Sequence, residues 1–299
     1  MSILNFILLL SFIQVIRCKS IISGLQKFLP PPAKYGTPTI IDNVMSTING
    51  NYEWEKSGLF EGDIALYDSD RNALISHSYR WPNATIPFYI QENDFNDEEV
   101  KTILLAIKEF HSKTCLRLKP YELLDENWVI ITGNDQGCYS SVGMRSEGGQ
   151  QLNLHTPGCV RKGVVQHELL HAAGFYHQQS SSDRDEYVEI LWDNIENRHA
   201  GNFKKYNSSI VTDYGIGYDY DSIMHYSSKA FSRNGNATIV AKKNVTRLGQ
   251  RDGFTEKDIL KLNSMYEESC HNAKTSVVND DRNDSELDVI NWFKSLFQQ

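Results

Sequence analysis

The alternation of apolar and polar residues predicts three strands in the first half of the chain. Ile86, Phe88 and Ile90 fall on one face of an extended segment, because every second side chain of a strand points the same way. Residues 128–132 are almost continuously apolar, which is typical of a buried strand. Residues 151–155 alternate, and we predict an edge strand whose free backbone groups bind extended polypeptide substrates.

Three other segments have the spacing of amphipathic helices. In the first, Asn96 is the predicted N-cap and Glu99 occupies the capping-box position. Its apolar stripe consists of Val100, Ile103, Leu104, Ile107 and Phe110. A second helix is predicted over 164–173, and the residues available to face the sheet are Val165, Leu169 and Ala172 or Ala173. The third has Thr255 as its N-cap and Asp258 in support. Its stripe consists of Ile259, Leu262 and Tyr266.

The region between the second and third helices is polar and irregular, with Gly, Asn, Tyr and Ser throughout. We therefore predict an α+β fold of two halves, with the helix over 164–173 at their junction. Beyond residue 270, positions 285–297 have the spacing of a short amphipathic helix. It is expected to pack on its own domain or to fray, and a membrane or partner role is the alternative.

The N-terminus carries an uncharged apolar run over residues 3–16. It is short for a membrane span and stands at the start of the chain, so we predict a signal peptide over 1–19. A retained signal anchor is the alternative. Residues 20–71 contain a Pro-rich stretch and little periodicity, which favours a loosely folded pro-segment. The mature protein is predicted to be secreted, without a stable membrane span.

Composition excludes some functions and supports export. The 299 residues are 40% hydrophobic, enough for a sizeable core, and a net charge of −8 argues against nucleic acid as a partner. Neither a phosphate-binding loop nor a G-x-G-x-x-G sequence occurs. Without Cys18 at the signal boundary, four cysteines remain, and they allow three pairings: Cys115, Cys138, Cys159 and Cys270. Candidate glycosylation sequons begin at Asn83, Asn207, Asn236, Asn244 and Asn283.

The strongest chemical signal lies between His167 and His177, which reads H-E-x-x-H-x-x-G-x-x-H. Two histidines four residues apart on a helix leave the same face and can bind one metal ion. Gly174 allows the chain to leave the helix sharply, so that the third histidine can return to the metal. Three protein ligands leave one coordination position open, which indicates a catalytic zinc site, and Glu168 stands beside it.

A second sequence, Ser222-Ile-Met-His-Tyr226, follows this motif downstream. Together the two sequences resemble the astacin family of metzincin metalloproteases. Further similarity lies at Arg80-Trp-Pro, Gly137-Cys and Gly249-Gln-Arg. The resemblance covers about residues 58–270. It implies a catalytic domain over 72–270, followed by a C-terminal tail over 271–299. A twisted mixed sheet and helices would form its N-terminal half, with a cleft between it and the irregular C-terminal half.

The resemblance also implies roles for individual residues. One Zn²⁺ per subunit would be bound by three ligands: His167, His171 and His177. Glu168 would be the general base and acid. Met224 resembles the family's turn methionine below the metal, and Tyr226 resembles a loose extra ligand that swings away to stabilise the oxyanion. The implied disulfides are Cys115–Cys270 and Cys138–Cys159.

The resemblance extends to latency. The sequence Phe60-Glu-Gly-Asp63 is similar to the family's switch, in which the aspartate carboxylate occupies the open position of zinc. An activating protease would then cut near Arg71. Two residues depart from the family's pattern: Gln178 replaces a glutamate that belongs to the network receiving the new N-terminus, and Ser181 replaces an arginine. A neutral amide accepts a hydrogen bond from an ammonium but does not neutralise it.

These features predict a secreted zinc endopeptidase that is made as a zymogen and hydrolyses peptide bonds in extracellular proteins. The alternative, motivated by the two departures, is a secreted binding protein that keeps the protease fold but has impaired catalysis. Loss of turnover in a related fold would more often remove Glu168 or a ligand, and both are present here. The sequence therefore favours the enzyme.

Overall fold

The computed structural model describes residues 57–66, 79–145 and 148–276. The predicted signal peptide, the predicted cleavage site at Arg71, the sequon at Asn283 and the predicted tail helix over 285–297 lie outside these residues. Within them, no helix combines the length and the apolar character that crossing a membrane requires.

A five-stranded mixed sheet forms the N-terminal half, in the order β2-β1-β3-β5-β4. Its strands are β1 Thr85–Ile90, β2 Arg117–Pro120, β3 Trp128–Thr132, β4 Cys138–Ser140 and β5 Gly149–Leu154. β1 is parallel to β2 and β3, β3 is parallel to β5, and only β4 runs antiparallel to its neighbour β5. The predicted strands at 86–90 and 128–132 are confirmed as β1 and β3.

The prediction of an edge strand at 151–155 is wrong. Residues 151–154 belong to β5, which pairs with β3 on one side and β4 on the other and is buried throughout. β4 has only three residues, too few for alternation to reveal it, and it forms the edge instead. Its outer side meets residues 57–66: Ser140 N donates to Asp63 O at 2.9 Å, and Ala65 N donates to Ser140 O at 2.9 Å.

The helices among the described residues are α1 Asp97–Lys113, α2 Lys162–Ala173, α3 Glu256–Met265 and α4 Glu267–Ser276. The predicted capping box of α1 is present: Asn96 Oδ1 accepts from the backbone N–H of Glu99, and Glu99 Oε2 accepts from that of Asn96. Of the predicted stripe, Ile103, Leu104, Ile107 and Phe110 are buried. α3 has the same kind of box, formed by Thr255 and Asp258.

α2 is buried along nearly its whole length at the junction of the two halves. The carbonyl groups of its last turn have no partner inside the helix, and side chains from elsewhere supply donors. Trp81 Nε1 donates to Ala172 O at 2.7 Å, and Tyr266 OH donates to Ala173 O at 2.8 Å. The C-terminal end of α2 is therefore held by Trp81, which precedes β1, and by Tyr266, which follows α3.

The C-terminal half is largely irregular, as predicted. It holds one two-stranded antiparallel sheet, β6 Val188–Ile190 with β7 Ile239–Ala241. Short 3-10 turns occur at Gln178–Ser180, Arg184–Glu186, Trp192–Asn194 and Asn197–Phe203, with another at Pro82–Ala84 before β1.

Two disulfides tie distant parts of the chain together. They are Cys115–Cys270 and Cys138–Cys159, the pairings that the resemblance implied. The first joins the segment between α1 and β2 to α4, and the second joins β4 to the segment before α2. The described sequons at Asn83, Asn207, Asn236 and Asn244 are exposed, so each asparagine is accessible to a glycosyltransferase.

Candidate metal centre

α2 and the turn after it bring three imidazole rings to one point. His167 and His171 leave the same face of the helix, one turn apart. Gly174 then adopts φ 117°, a left-handed conformation that lets the chain reverse direction. The three histidines are all buried, and their rings lie within 5.4 Å of one another between centroids.

Asp63 reaches into this cluster from residues 57–66. Its Oδ2 lies 3.1 Å from His167 Nε2, and its Oδ1 lies 3.4 Å from His171 Nε2 and 3.1 Å from His177 Nε2. The four side chains offer ligand atoms within 4.8 Å of one another, a group able to bind one metal ion. The structure thus brings together the three histidines and the aspartate that the sequence separates by about a hundred residues.

The second nitrogen of each ring is also held. His167 Nδ1 lies 2.8 Å from Ile223 O, and His171 Nδ1 lies 2.7 Å from Phe175 O. His177 Nδ1 instead lies 2.8 Å from a carboxylate oxygen of Glu61. Such partners fix the tautomer in which Nδ1 carries the proton and Nε2 offers its lone pair to a metal.

A metal ion fits a buried site when it would satisfy polar atoms that otherwise have no hydrogen-bond partner. Within the described part of the chain they include His171 Nε2, Asp63 Oδ1 and both carboxylate oxygens of Glu168. Leaving such atoms unpaired is costly, and a cation bound between the imidazoles would satisfy the first two. An N₃O donor set of imidazoles and a carboxylate suits Zn²⁺. The residues present therefore fit the metal that the sequence predicts.

Charge is concentrated around Asp63. Burial alone would raise the pKa of Asp63, but the charges of His177 and His171 outweigh it and lower the pKa well below its usual value. Burial, reinforced by the negative charge of Asp63, raises the pKa of Glu168 well above its usual value. The pKa values of these two buried carboxyl groups are therefore shifted in opposite directions.

The turn over residues 222–226 lies directly beneath the histidines. Met224 is buried, and its carbonyl accepts from Gln178 N at 2.9 Å. The turn is held by Asp258 of α3, which accepts from Ser222 Oγ at 2.6 Å and from Ile223 N at 3.0 Å. The sequence identified Asp258 only as helix support, because its second set of partners lies some 35 residues earlier in the chain.

Tyr226 is fully buried beside His177, with ring centroids 4.7 Å apart. Its hydroxyl donates to the carbonyl oxygen of Glu61 at 2.6 Å. The predicted extra ligand is therefore engaged by residues 57–66 in this structure. Glu61 itself was not predicted as a site residue. The available signal was its position inside the Phe60-Glu-Gly-Asp63 sequence, two residues from the aspartate.

Comparison with known proteins agrees with this site. A family model described as Astacin, a family of peptidases, matches residues 73–267. The chain belongs to the astacin family. The matched residues are thus an astacin domain, and the buried cluster of three histidines and an aspartate is able to bind one metal ion.

Several astacin relatives are similar over most of this chain. Zinc metalloproteinase nas-15 of Caenorhabditis elegans is 38% identical over a 260-residue alignment that covers 79% of this chain and 45% of that protein. Meprin A subunit beta of Rattus norvegicus is 43% identical over 71% of this chain and 29% of its own length. Seminal metalloprotease 1 of Drosophila melanogaster is 40% identical over 70% of this chain and 87% of its own length. The chain thus spans less than half the length of the first two relatives.

A solved structure shares the astacin fold. High choriolytic enzyme 1, a hatching-enzyme zinc protease from Oryzias latipes (medaka), matches with a TM-score of 0.57 and 34% sequence identity. The match covers 69% of this chain and 98% of that one. The α+β architecture of the mixed sheet and helices is therefore the metzincin fold that the sequence predicts.

Proposed function

We propose that the protein is a secreted zinc endopeptidase made as an inactive precursor. The observation that carries this proposal is the buried convergence of three imidazole Nε2 atoms on one carboxylate of Asp63, with the unpaired carboxylate of Glu168 beside them. The apolar N-terminal run and the two disulfides support export to an oxidising compartment. The substrates would be extended segments of extracellular polypeptides.

The three histidines would hold the metal through Nε2. When bound, zinc lowers the pKa of its water ligand and polarises the carbonyl group of the scissile peptide bond. The carbonyls of Ile223 and Phe175 keep His167 and His171 in the required tautomer. Met224, which is buried in the turn next to Ile223, would form the apolar floor beneath the rings.

Glu168 would move the proton. Neither of its carboxylate oxygens is engaged by another described group, so the side chain is available to take a proton from water and pass it to the leaving amine. A bound cation opposes the effects of burial and of Asp63, which together raise the pKa of Glu168. Release of Asp63 would therefore prepare Glu168 to act as the base.

Tyr226 would stabilise the negative charge that forms on the scissile carbonyl oxygen. Its hydroxyl is bound to the main chain of Glu61, so it becomes available only when residues 57–66 leave. A buried phenol that donates one hydrogen bond into a dry site is an effective partner for an oxyanion.

Latency would follow from residues 57–66, which occupy both the metal cluster and the outer side of β4. Once they leave, Ser140 N and Ser140 O are free to pair with a substrate backbone. The substrate strand is thus expected at β4 rather than at residues 151–155. This double occupation by residues 57–66 favours a zymogen, which would be activated when cleavage near Arg71 removes the segment.

The test is peptide hydrolysis by the chain processed near Arg71, compared with the same chain carrying Glu168→Gln. We expect zinc-dependent cleavage by the first and a loss of several orders of magnitude in the second, with bound zinc unchanged in both. Full zinc occupancy without cleavage by the processed wild type would refute the enzyme and favour the binding-protein alternative.

A further inference from the structure

Glu61 makes more contacts to the site than its place in a short turn would suggest. Gly62 N donates to Leu59 O at 3.0 Å, and Ile64 N donates to Phe60 O at 2.9 Å. These bonds close a tight turn in which Glu61 has φ 47°, a conformation that non-glycine residues rarely adopt. The residue is only 1% exposed. The turn therefore places Glu61 in the interior of the protein, next to Asp63.

Every polar atom of Glu61 has a partner in the protein. One carboxylate oxygen accepts from Tyr206 OH at 2.7 Å and lies 3.4 Å from Ser180 Oγ. The other lies 2.8 Å from His177 Nδ1. The backbone N–H donates to Asn202 Oδ1 at 3.2 Å, and the backbone carbonyl accepts from Tyr226. Buried carboxylates are stable only with such a complete set of partners, so this position is built to receive one.

The third histidine differs from the other two in what holds it. His167 and His171 rest on main-chain carbonyls of residues 223 and 175, which remain in the domain after cleavage near Arg71. His177 rests on Glu61, which that cleavage would remove. A carboxylate behind a metal-binding imidazole orients the ring and raises its basicity, and loss of such a partner typically lowers metal affinity ~10- to 100-fold.

We infer that Glu61 is a positioning residue that orients His177 in the precursor, so that the precursor retains zinc more tightly than the processed chain does. The inference rests on the proposed function, because it assigns a second task to the same segment. Asp63 supplies a ligand from the front of the site, while Glu61 fixes a ligand from behind. The segment would then protect metal loading as well as block the cleft.

The experiment measures the rate at which zinc passes from the full-length chain to a chelator, in a Glu168→Gln background that prevents self-cleavage. We expect Glu61→Ala to release zinc ~10- to 100-fold faster than its parent. Glu61→Gln still offers an oxygen to His177 and should fall between the two. Glu98→Ala is the matched control, since Glu98 is an exposed acid on α1, and it should leave the rate unchanged.

Processing provides a second control. Cleavage near Arg71 removes residue 61, so the processed products of the Glu61→Ala chain and its parent have one sequence and should release zinc at one rate. Different rates after processing would mean that the variant misfolded irreversibly, and the inference would fail. It would equally fail if the uncut Glu61→Ala chain held zinc as firmly as its parent. Failure of the proposed function is distinguishable, because it would appear as absent hydrolysis by a processed chain with Glu168 intact.

Discussion

Lys261 Nζ lies 2.7 Å from Oε1 of Gln178, in the position next to the third histidine. Both side chains are buried, and Gln178 also donates its backbone N–H to Met224. The pair therefore links α3 to the turn below the metal cluster. An amide in place of the family's usual glutamate is thus already paired by an internal cation.

Removing that cation should destabilise the domain. Lys261→Met keeps the apolar stem but leaves Gln178 Oε1 buried without its partner, which costs about 1–3 kcal/mol. The free energy of unfolding in urea, with the disulfides intact, measures the loss. Lys204→Met is the control, because Lys204 is exposed, and it should change stability by less than ~0.5 kcal/mol. Equal stability of the two variants would show that the contact contributes nothing.

Asp258 should matter more than an ordinary helix cap. Asp258→Ala removes the acceptor for Ser222, Ile223 and the cap residue Thr255, all in or near the metal turn. We expect a loss of about 2–4 kcal/mol and a lower kcat, because the turn carries Met224 and Tyr226. Urea unfolding and peptide hydrolysis report the two effects separately.

The matched control for Asp258 lies in the same first turn of α3. Glu256 is exposed there, and Glu256→Ala should cost no more than ~0.5 kcal/mol and leave kcat unchanged. If Asp258→Ala lost stability but kept full kcat after processing, the carboxylate would be a cap alone and not a support for the site.

Asp63→Ala should give an uncut chain with measurable peptidase activity. The substitution opens the metal and removes one of the contacts that hold residues 57–66, so the segment should leave the cleft in a fraction of the molecules. The backbone bonds to Ser140 and the Glu61 contacts still keep the cleft covered in the rest. Activity is therefore expected to stay below that of the processed wild type. The assay is peptide hydrolysis before and after processing, with Asp63→Ala/Glu168→Gln as the inactive control. An uncut Asp63→Ala chain that remains silent would contradict the switch.

Glu109 gives the domain a specific sensitivity to acid. Burial alone would raise its pKa, but Lys113, Lys162 and Gln166 lower it to about 2 from an ordinary value of 4.5. The carboxylate thus joins α1 to α2, and its contribution is present above pH ~4.5 and is lost as the pH falls towards ~2. Glu109→Gln should cost about 1–2 kcal/mol at pH 7, a discounted figure because both lysines are partly exposed to water.

The difference between Glu109→Gln and the wild type should disappear at pH values below ~2, where the wild-type carboxylate is protonated. Urea unfolding at neutral and at acid pH measures it. Glu98→Gln, on the exposed side of the same helix, should match the wild type throughout. A difference that persisted unchanged in acid would place the effect in packing instead of charge.

Periodicity predicted the long elements well and failed where elements are short. α1, α3, β1 and β3 follow from stripes and caps in the sequence. β4 has three residues and carries no usable pattern. The sequence therefore predicts the edge strand at β5, although β4 occupies that position. Strand order depends on pairings between distant segments, and local sequence does not encode them.

The same distinction applies to the site. His167, Glu168 and His171 are close in sequence and are predictable because a helix fixes their relative positions. Glu61 and Lys261 have partners 116 and 83 residues away, and neither has a spacing rule. Both are ordinary charged residues until the fold buries them, so only the structure identifies their partners.

The tight turn at Gly62 has a kinetic consequence for the proposed precursor. Over a few residues it holds the aspartate among the histidines, the glutamate behind His177, the hydroxyl of Tyr226 and the main chain of β4. These contacts all belong to one short segment, so cleavage near Arg71 would remove them together. In the wild-type chain, the open metal position, the hydroxyl of Tyr226 and the edge of β4 should therefore become available at the same rate after cleavage.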